Sequence, residues 1–218
     1  RSTDKGAQTS TMSHDFNQQI DRRRFESIKW HHYGEDVLPM WVADMDFRAP
    51  QPVIEALRDR VDHGVFGYGR TPVELREVFV ERLKTLYDWQ VSPDELVFIP
   101  GVVPGFNLTC QIAATPGDGV LIQTPIYYPI LYAPPEADLT NDEMELTQRP
   151  DGSYEIDFDL MEETITAKTR IFILCNPHNP VGRVFRRDEL ETIAEICLRE
   201  DILICSDEIH CDLLLDDN

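Results

Sequence analysis

From Glu95 onward the chain alternates short apolar runs with helically spaced segments, and this rhythm limits the fold more than any other feature. Leu96–Ile99, Gly119–Gln123, Arg170–Cys175 and Ile202–Ser206 are each apolar, short and stopped by polar, Gly or Pro residues, the pattern of buried strands. Between them Phe106–Ala114 and Asp188–Arg199 are spaced as helices, the second with Leu190, Ile193, Ala194, Cys197 and Leu198 on one face. Strands buried on both faces and separated by helices predict a mostly parallel sheet in a three-layer α/β/α arrangement. Residues 136–163 hold eleven acids and a single base, Arg149. They predict a surface strand, a turn at Asp151-Gly152 and a helix around Asp159–Thr166. Upstream, Ala49–Gly64 is spaced as a helix, with Pro50 and Pro52 suited to its first turn and Gly64 to its stop. Thr71-Pro72-Val73-Glu74 has the form of a capping box opening a second helix.

Charge and cysteine usage exclude several roles. With 20 Lys and Arg against 40 Asp and Glu, the formal net charge is −20, which disfavours a surface made for phosphate backbones. No apolar run reaches the ~18–20 residues of a membrane span. The first twenty residues are polar, without the apolar stretch of a secretory leader. Five cysteines, an odd number without CxxC spacing, fit reduced, mostly buried thiols. The expectation is a cytoplasmic protein that binds neither nucleic acid nor membrane. Residues 1–24 are expected to form a polar tail, those up to residue 11 a tag or upstream extension before Met12.

Ligands of open α/β sheets sit beyond the carboxyl ends of the strands, and three loops at such places are unusual in content. Pro100-Gly101-Val102-Val103-Pro104-Gly105 joins a strand to a helix; its glycines and free N–H groups suit a phosphate, although such a loop also serves as a plain turn. Asn176-Pro177-His178-Asn179-Pro180-Val181-Gly182 is a tight loop whose amide side chain can donate to a ligand oxygen, or again a simple turn. Ser206-Asp207-Glu208-Ile209-His210-Cys211-Asp212 crowds acids and a histidine at a strand end, which calls for a cationic partner. Cys205, Asp207, His210 and Cys211 are ligand types, but their spacing matches no zinc pattern and no metal is expected.

Together with Tyr127 in Thr124-Pro125-Ile126-Tyr127-Tyr128-Pro129, these loops resemble the class I/II aminotransferase family, enzymes that use pyridoxal phosphate on the fold known as fold type I. Trp41-Val42-Ala43-Asp44-Met45-Asp46-Phe47, the Phe66-Gly67-Tyr68-Gly69 block and the SDEIH string are similar to the MalY/PatB branch of cystathionine and cysteine-S-conjugate β-lyases. The resemblance runs from about Phe25 to Asn218. It implies that backbone N–H groups around Val102 and Val103 cradle the cofactor phosphate, that Tyr127 stacks on the pyridine ring and that Asn179 donates to its phenolic oxygen. Asp207 would pair with the protonated ring nitrogen. His210 takes the place of a family tyrosine near the same oxygen, and Tyr68 resembles a tyrosine that reaches the phosphate across a dimer interface. By the same likeness, residues 25–48 begin a small domain and 49–218 form part of the cofactor-binding large domain, incomplete at its C-terminal side.

The family's Schiff-base lysine lies beyond the SDEIH motif, and the last lysine here is Lys168. No residue of the chain is therefore assigned as catalytic, and the chain alone is expected not to turn over. The implied activity of the complete protein, a homodimer, is β-elimination of cystathionine, cysteine or cysteine S-conjugates to pyruvate, ammonia and a thiol. An aminotransferase and a non-catalytic regulator on the same fold are the alternatives.

Overall fold

The computed structural model describes residues 14–215, which divide between Arg70 and Thr71 into two compact units. The partition drawn above, with boundaries after residues 24 and 48, follows family roles and stands as a proposal beside this geometric one.

In the first unit, α1 (Ile28–His31) precedes α2 (Gln51–His63), which starts after Pro50 and stops at Gly64, held at φ 72°. The WVADMDF segment is clamped by basic residues from upstream. Arg22 reaches Asp44 at 2.7 Å and Asp46 at 2.9 Å, while the buried Lys29 reaches Asp46 at 2.8 Å and donates to the Asp44 carbonyl at 2.6 Å. The Trp30 indole N–H donates to Asp46 at 2.8 Å. Burial pushes the Asp46 carboxyl up, yet these hydrogen bonds and charges together hold it below its ordinary value.

The second unit opens with α3 (Val73–Tyr87). Pro72 is extended at ψ 144° and becomes the N-cap, so the helix starts one residue later than Thr71-Pro72 suggests and no side chain caps it. A capping hydrogen bond forms instead at the 3₁₀ turn Pro93–Glu95, where the Ser92 N–H donates to Glu95 at 2.6 Å. Leu96–Ile99, expected as a strand, is not one. No ladder partner lies beside it among the described residues, and Val97 is 81% exposed. A strand needs a neighbour to take its N–H and C=O groups.

After α4 (Val102–Ala113), which begins four residues before the expected Phe106, come β1 (Gly119–Thr124), α5 (Tyr128–Glu136) and β2 (Thr140–Glu145). The hairpin β3 (Thr147–Gln148) and β4 (Tyr154–Glu155) turns at Gly152, followed by α6 (Phe158–Thr164), β5 (Thr169–Cys175), α7 (Arg187–Arg199) and β6 (Leu203–Asp207). The four longer strands form one parallel sheet in the order β2-β1-β5-β6. Alternation along the strands builds two cores. Val120, Ile122, Ile171 and Ile173 pack with Phe106 and Cys110 of α4 and Ile130 of α5; Leu121, Phe172 and Leu174 pack with Met161 of α6 and Ile193 and Ile196 of α7. The three-layer expectation is met.

Sequence reading passes over α5 because Pro129, Pro134 and Pro135 interrupt it. Pro129 sits in the first turn, where no intrahelical N–H is needed. Pro135 leaves the Leu131 carbonyl without its helical donor, and the Asn141 amide on β2 donates to that oxygen at 3.0 Å.

Candidate functional site

Sheet order places the unusual loops together. Chain order reverses between β1 and β5, the crevice where open α/β sheets receive ligands. The carboxyl ends of β1, β5 and β6 are neighbours there, so Tyr127, Asn179 and Asp207 follow one another along a single edge. Five residues link the end of α4 to the start of β1, so α4 runs antiparallel to the sheet and its N-terminus reaches the same edge.

Gly101, at φ 134°, turns the chain into α4, in a conformation that favours glycine. The side chains of Val102 and Val103 pack on the core below, while their N–H groups, in the first turn, find no acceptor among the described residues. Gly105 lets the helix close on Ile99: a Cβ there would come within 2.8 Å of the Ile99 Cδ1. Tyr127 is the N-cap residue of α5, with its ring partly exposed and 5.4 Å from that of Tyr128.

Asp207 closes β6 opposite Cys175 and is only 7% exposed. The Ile209 N–H donates to its carboxylate at 3.1 Å, and no Lys, Arg or His pairs with it among the described residues. A buried carboxylate so placed favours a cation brought by a ligand. Asn179 is half-buried, and its side-chain amide has no partner within the described residues. His210 lies in the turn after Asp207, half-buried, its carbonyl accepting from the Leu213 N–H at 2.9 Å. Tyr68 belongs to the first unit and is fully exposed.

Two residues that the sequence reading gave no role tie the loops together. The Asn176 N–H donates to the Asp207 carbonyl at 3.0 Å, and its side-chain oxygen accepts from the Phe185 N–H at 3.0 Å. His178, 1% exposed, lies with Nδ1 3.1 Å from the Cys175 carbonyl and Nε2 2.9 Å from the Pro125 carbonyl. The signal was present in the sequence: a histidine between two Asn-Pro pairs just past an apolar strand.

The edge therefore offers uncommitted N–H groups at a helix N-terminus, an aromatic face, a free amide and an unpaired buried carboxylate. That set suits a planar ligand with an anionic group at one end and a protonated ring atom at the other. One concavity of about 610 Å³ runs along α3 past Glu74, Val78 and Arg82, and another of about 510 Å³ borders Thr124 and Pro125 at the end of β1 together with Glu145 and Tyr154. Among the described residues no three His, Cys, Asp or Glu side chains converge as metal ligands, and no helix is long and apolar enough to cross a membrane.

The model of the family described as aminotransferase class I and II matches residues 35–218. Cystathionine beta-lyase PatB of Bacillus subtilis is 39% identical over 210 residues, covering 92% of this chain and 53% of PatB. Among solved structures, cystalysin from Treponema denticola, which contains a pyridoxal 5'-phosphate cofactor, superposes with a TM-score of 0.87 at 36% identity, over 95% of this chain and 54% of cystalysin. The PLP-bound C-S lyase from Staphylococcus hominis gives a TM-score of 0.84 at 35% identity, over 93% of this chain and 53% of that enzyme. The chain spans about half the length of the curated relatives it matches.

Proposed function

Because the chain belongs to the class I and II aminotransferase family, we propose that the protein carrying it is a pyridoxal-phosphate-dependent carbon–sulfur β-lyase. Its substrates are cystathionine, cysteine or cysteine S-conjugates, and its products pyruvate, ammonia and a thiol. The observation that carries the reading is Asp207, a buried carboxylate at the carboxyl end of β6 with no cation beside it among the described residues. Pyridoxal phosphate has the complementary parts, a protonated ring nitrogen and a phosphate. When bound, this cofactor supplies an electron-withdrawing ring that takes up the charge left at the substrate Cα.

The residues here then have distinct tasks. Val102 and Val103 bind phosphate through backbone N–H groups, helped by the positive end of the α4 dipole. Tyr127 covers one face of the ring and excludes water from it. Asp207 holds the proton on the ring nitrogen, and Asn179 orients the ring by donating to its phenolic oxygen. His210 is assigned to the surroundings of that oxygen. Tyr68 is assigned to the phosphate of a second copy, which makes the protein a homodimer. The five cysteines, all free, support a reducing compartment and hence the cytoplasm.

The full-length protein decides the matter. Supplied with cystathionine and pyridoxal phosphate, it should release pyruvate and a thiol without a keto-acid acceptor. Amino transfer that depends on a keto acid, with no thiol released, would make it an aminotransferase instead. Cofactor binding with neither activity would favour the regulator.

A further inference from the structure

His178 is spent entirely on the protein. Its N–H donates to the Arg183 carbonyl at 2.7 Å, and its own carbonyl accepts from the Gly182 N–H at 2.8 Å. Its ring lies 5.6 Å from that of Phe185, and both ring nitrogens face backbone carbonyls. One carbonyl, from Cys175, belongs to the strand from which its own loop springs. The other, from Pro125, belongs to the neighbouring loop, 53 residues away in sequence. Pro125 stands two residues before Tyr127, and His178 directly precedes Asn179. The contact from Nε2 to Pro125 is the only hydrogen bond between these two loops among the described residues.

Burial pushes the His178 imidazole below its ordinary value, the Pro125 and Cys175 carbonyls pulling the other way. A neutral ring has one N–H for two carbonyls. If that proton sits on Nδ1, the loop is tied only to its own root. If it sits on Nε2, the two ligand-bearing loops are tied to each other.

We propose that His178 is a positioning residue for the cofactor site, its Nε2–H holding the Tyr127 loop against the Asn179 loop so that ring face and amide are spaced before a ligand arrives. The proposal rests on the reading of the site given above for its ligand, though not for the hydrogen bond itself.

The test exploits the reach of amide side chains in the full-length protein. Gln places its NH₂ near the Nε2 position and Asn places its own near Nδ1, so His178→Gln keeps the bond between loops and His178→Asn keeps only the bond to the loop's root. Three quantities are read: hydrogen–deuterium exchange of the 124–130 segment without cofactor, the dissociation constant of pyridoxal phosphate from visible circular dichroism, and kcat and KM. His178→Asn should speed exchange of that segment and weaken cofactor binding about tenfold, the scale of one lost hydrogen bond. It should lower kcat with KM little changed, and His178→Gln should recover all three. Equal behaviour of the two variants with native far-UV spectra, or an Asn variant like the wild type, would overturn the proposal. If neither variant folds, wild-type protein labelled with ¹⁵N-histidine must show a slowly exchanging Nε2–H, and its absence overturns the proposal as well. A wild-type protein that binds no pyridoxal phosphate would defeat the functional reading, while the exchange measurement would still report on the bond.

Discussion

Asp207, on the carboxyl edge of the sheet, is a buried carboxylate without a cationic partner among the described residues. In the full-length protein, Asp207→Asn keeps the shape and removes the charge proposed to hold a proton on the cofactor ring. Removing one member of a buried charge pair costs about 2–5 kcal/mol, so kcat at saturating cofactor should fall roughly 30-fold or more. An unchanged kcat would remove Asp207 from its assigned role. Asp46 shows the opposite situation, a carboxylate whose cations come from its own chain. Its folded pKa lies below the ordinary 3.8, so the clamp's contribution to stability is complete above that value and is lost as pH falls through the lower, folded one. Acid unfolding followed by tryptophan emission should show wild type more stable than Asp46→Asn at neutral pH, with the gap closing as pH falls from the ordinary carboxylate value of 3.8 through the lowered, folded one. A gap independent of pH would mean that Asp46 acts through shape rather than charge.

The elements differ in how openly the sequence declared them. β1, β5 and β6 were readable within a residue or two at each end because apolar side chains on both faces leave no other use for such runs. The loops after them were readable because Gly, Pro and Asn fix backbone locally. Leu96–Ile99 has the same composition yet forms no strand, since ladder formation depends on a neighbour that composition cannot supply. α5 was hidden by prolines whose cost is met from outside the helix, by Asn141. Thr71 promised a cap, but Pro72 took the capping position. Of the candidate site, the residues proposed to face a ligand stand in legible motifs, whereas the ties made by His178 and Asn176 arise only once β1, β5 and β6 lie side by side. α4 offers a test of local geometry. A Cβ on Gly101 meets only ordinary contact, Pro104 Cδ at 3.7 Å, so Gly101→Ala brings conformational strain rather than a clash. At φ 134° and ψ 166° that strain is about 1–3 kcal/mol. The thermal midpoint should drop by a few degrees and phosphate or cofactor affinity should fall with it; affinity unaltered would separate the first turn of α4 from the anion site.

The described molecule leaves much apolar surface in water. No residue of α2 or α3 is buried, and β6 has a neighbour on one side only. An open strand edge with exposed Leu203 and Ile209 nearby is a template for association, opposed here by a net charge of −20. The 218-residue chain expressed by itself should therefore self-associate more as salt rises, because the screening length shrinks from about 30 Å at 0.01 M to about 3 Å at 1 M. Sedimentation velocity across that range checks this, and a monomer unaffected by salt would show that the exposed faces do not attract one another. The β3–β4 hairpin carries a different consequence. It pairs only with itself, its Arg149–Glu155 bridge lies at the surface, and the Gly152 turn opens onto empty space. Extra residues there would lengthen a closed loop at about 0.6 kcal/mol per doubling without entering the sheet. Asp151-Gly152 is thus a natural port for an inserted affinity tag or fluorescent reporter, and a protein carrying one should keep the wild-type melting temperature to within a few degrees.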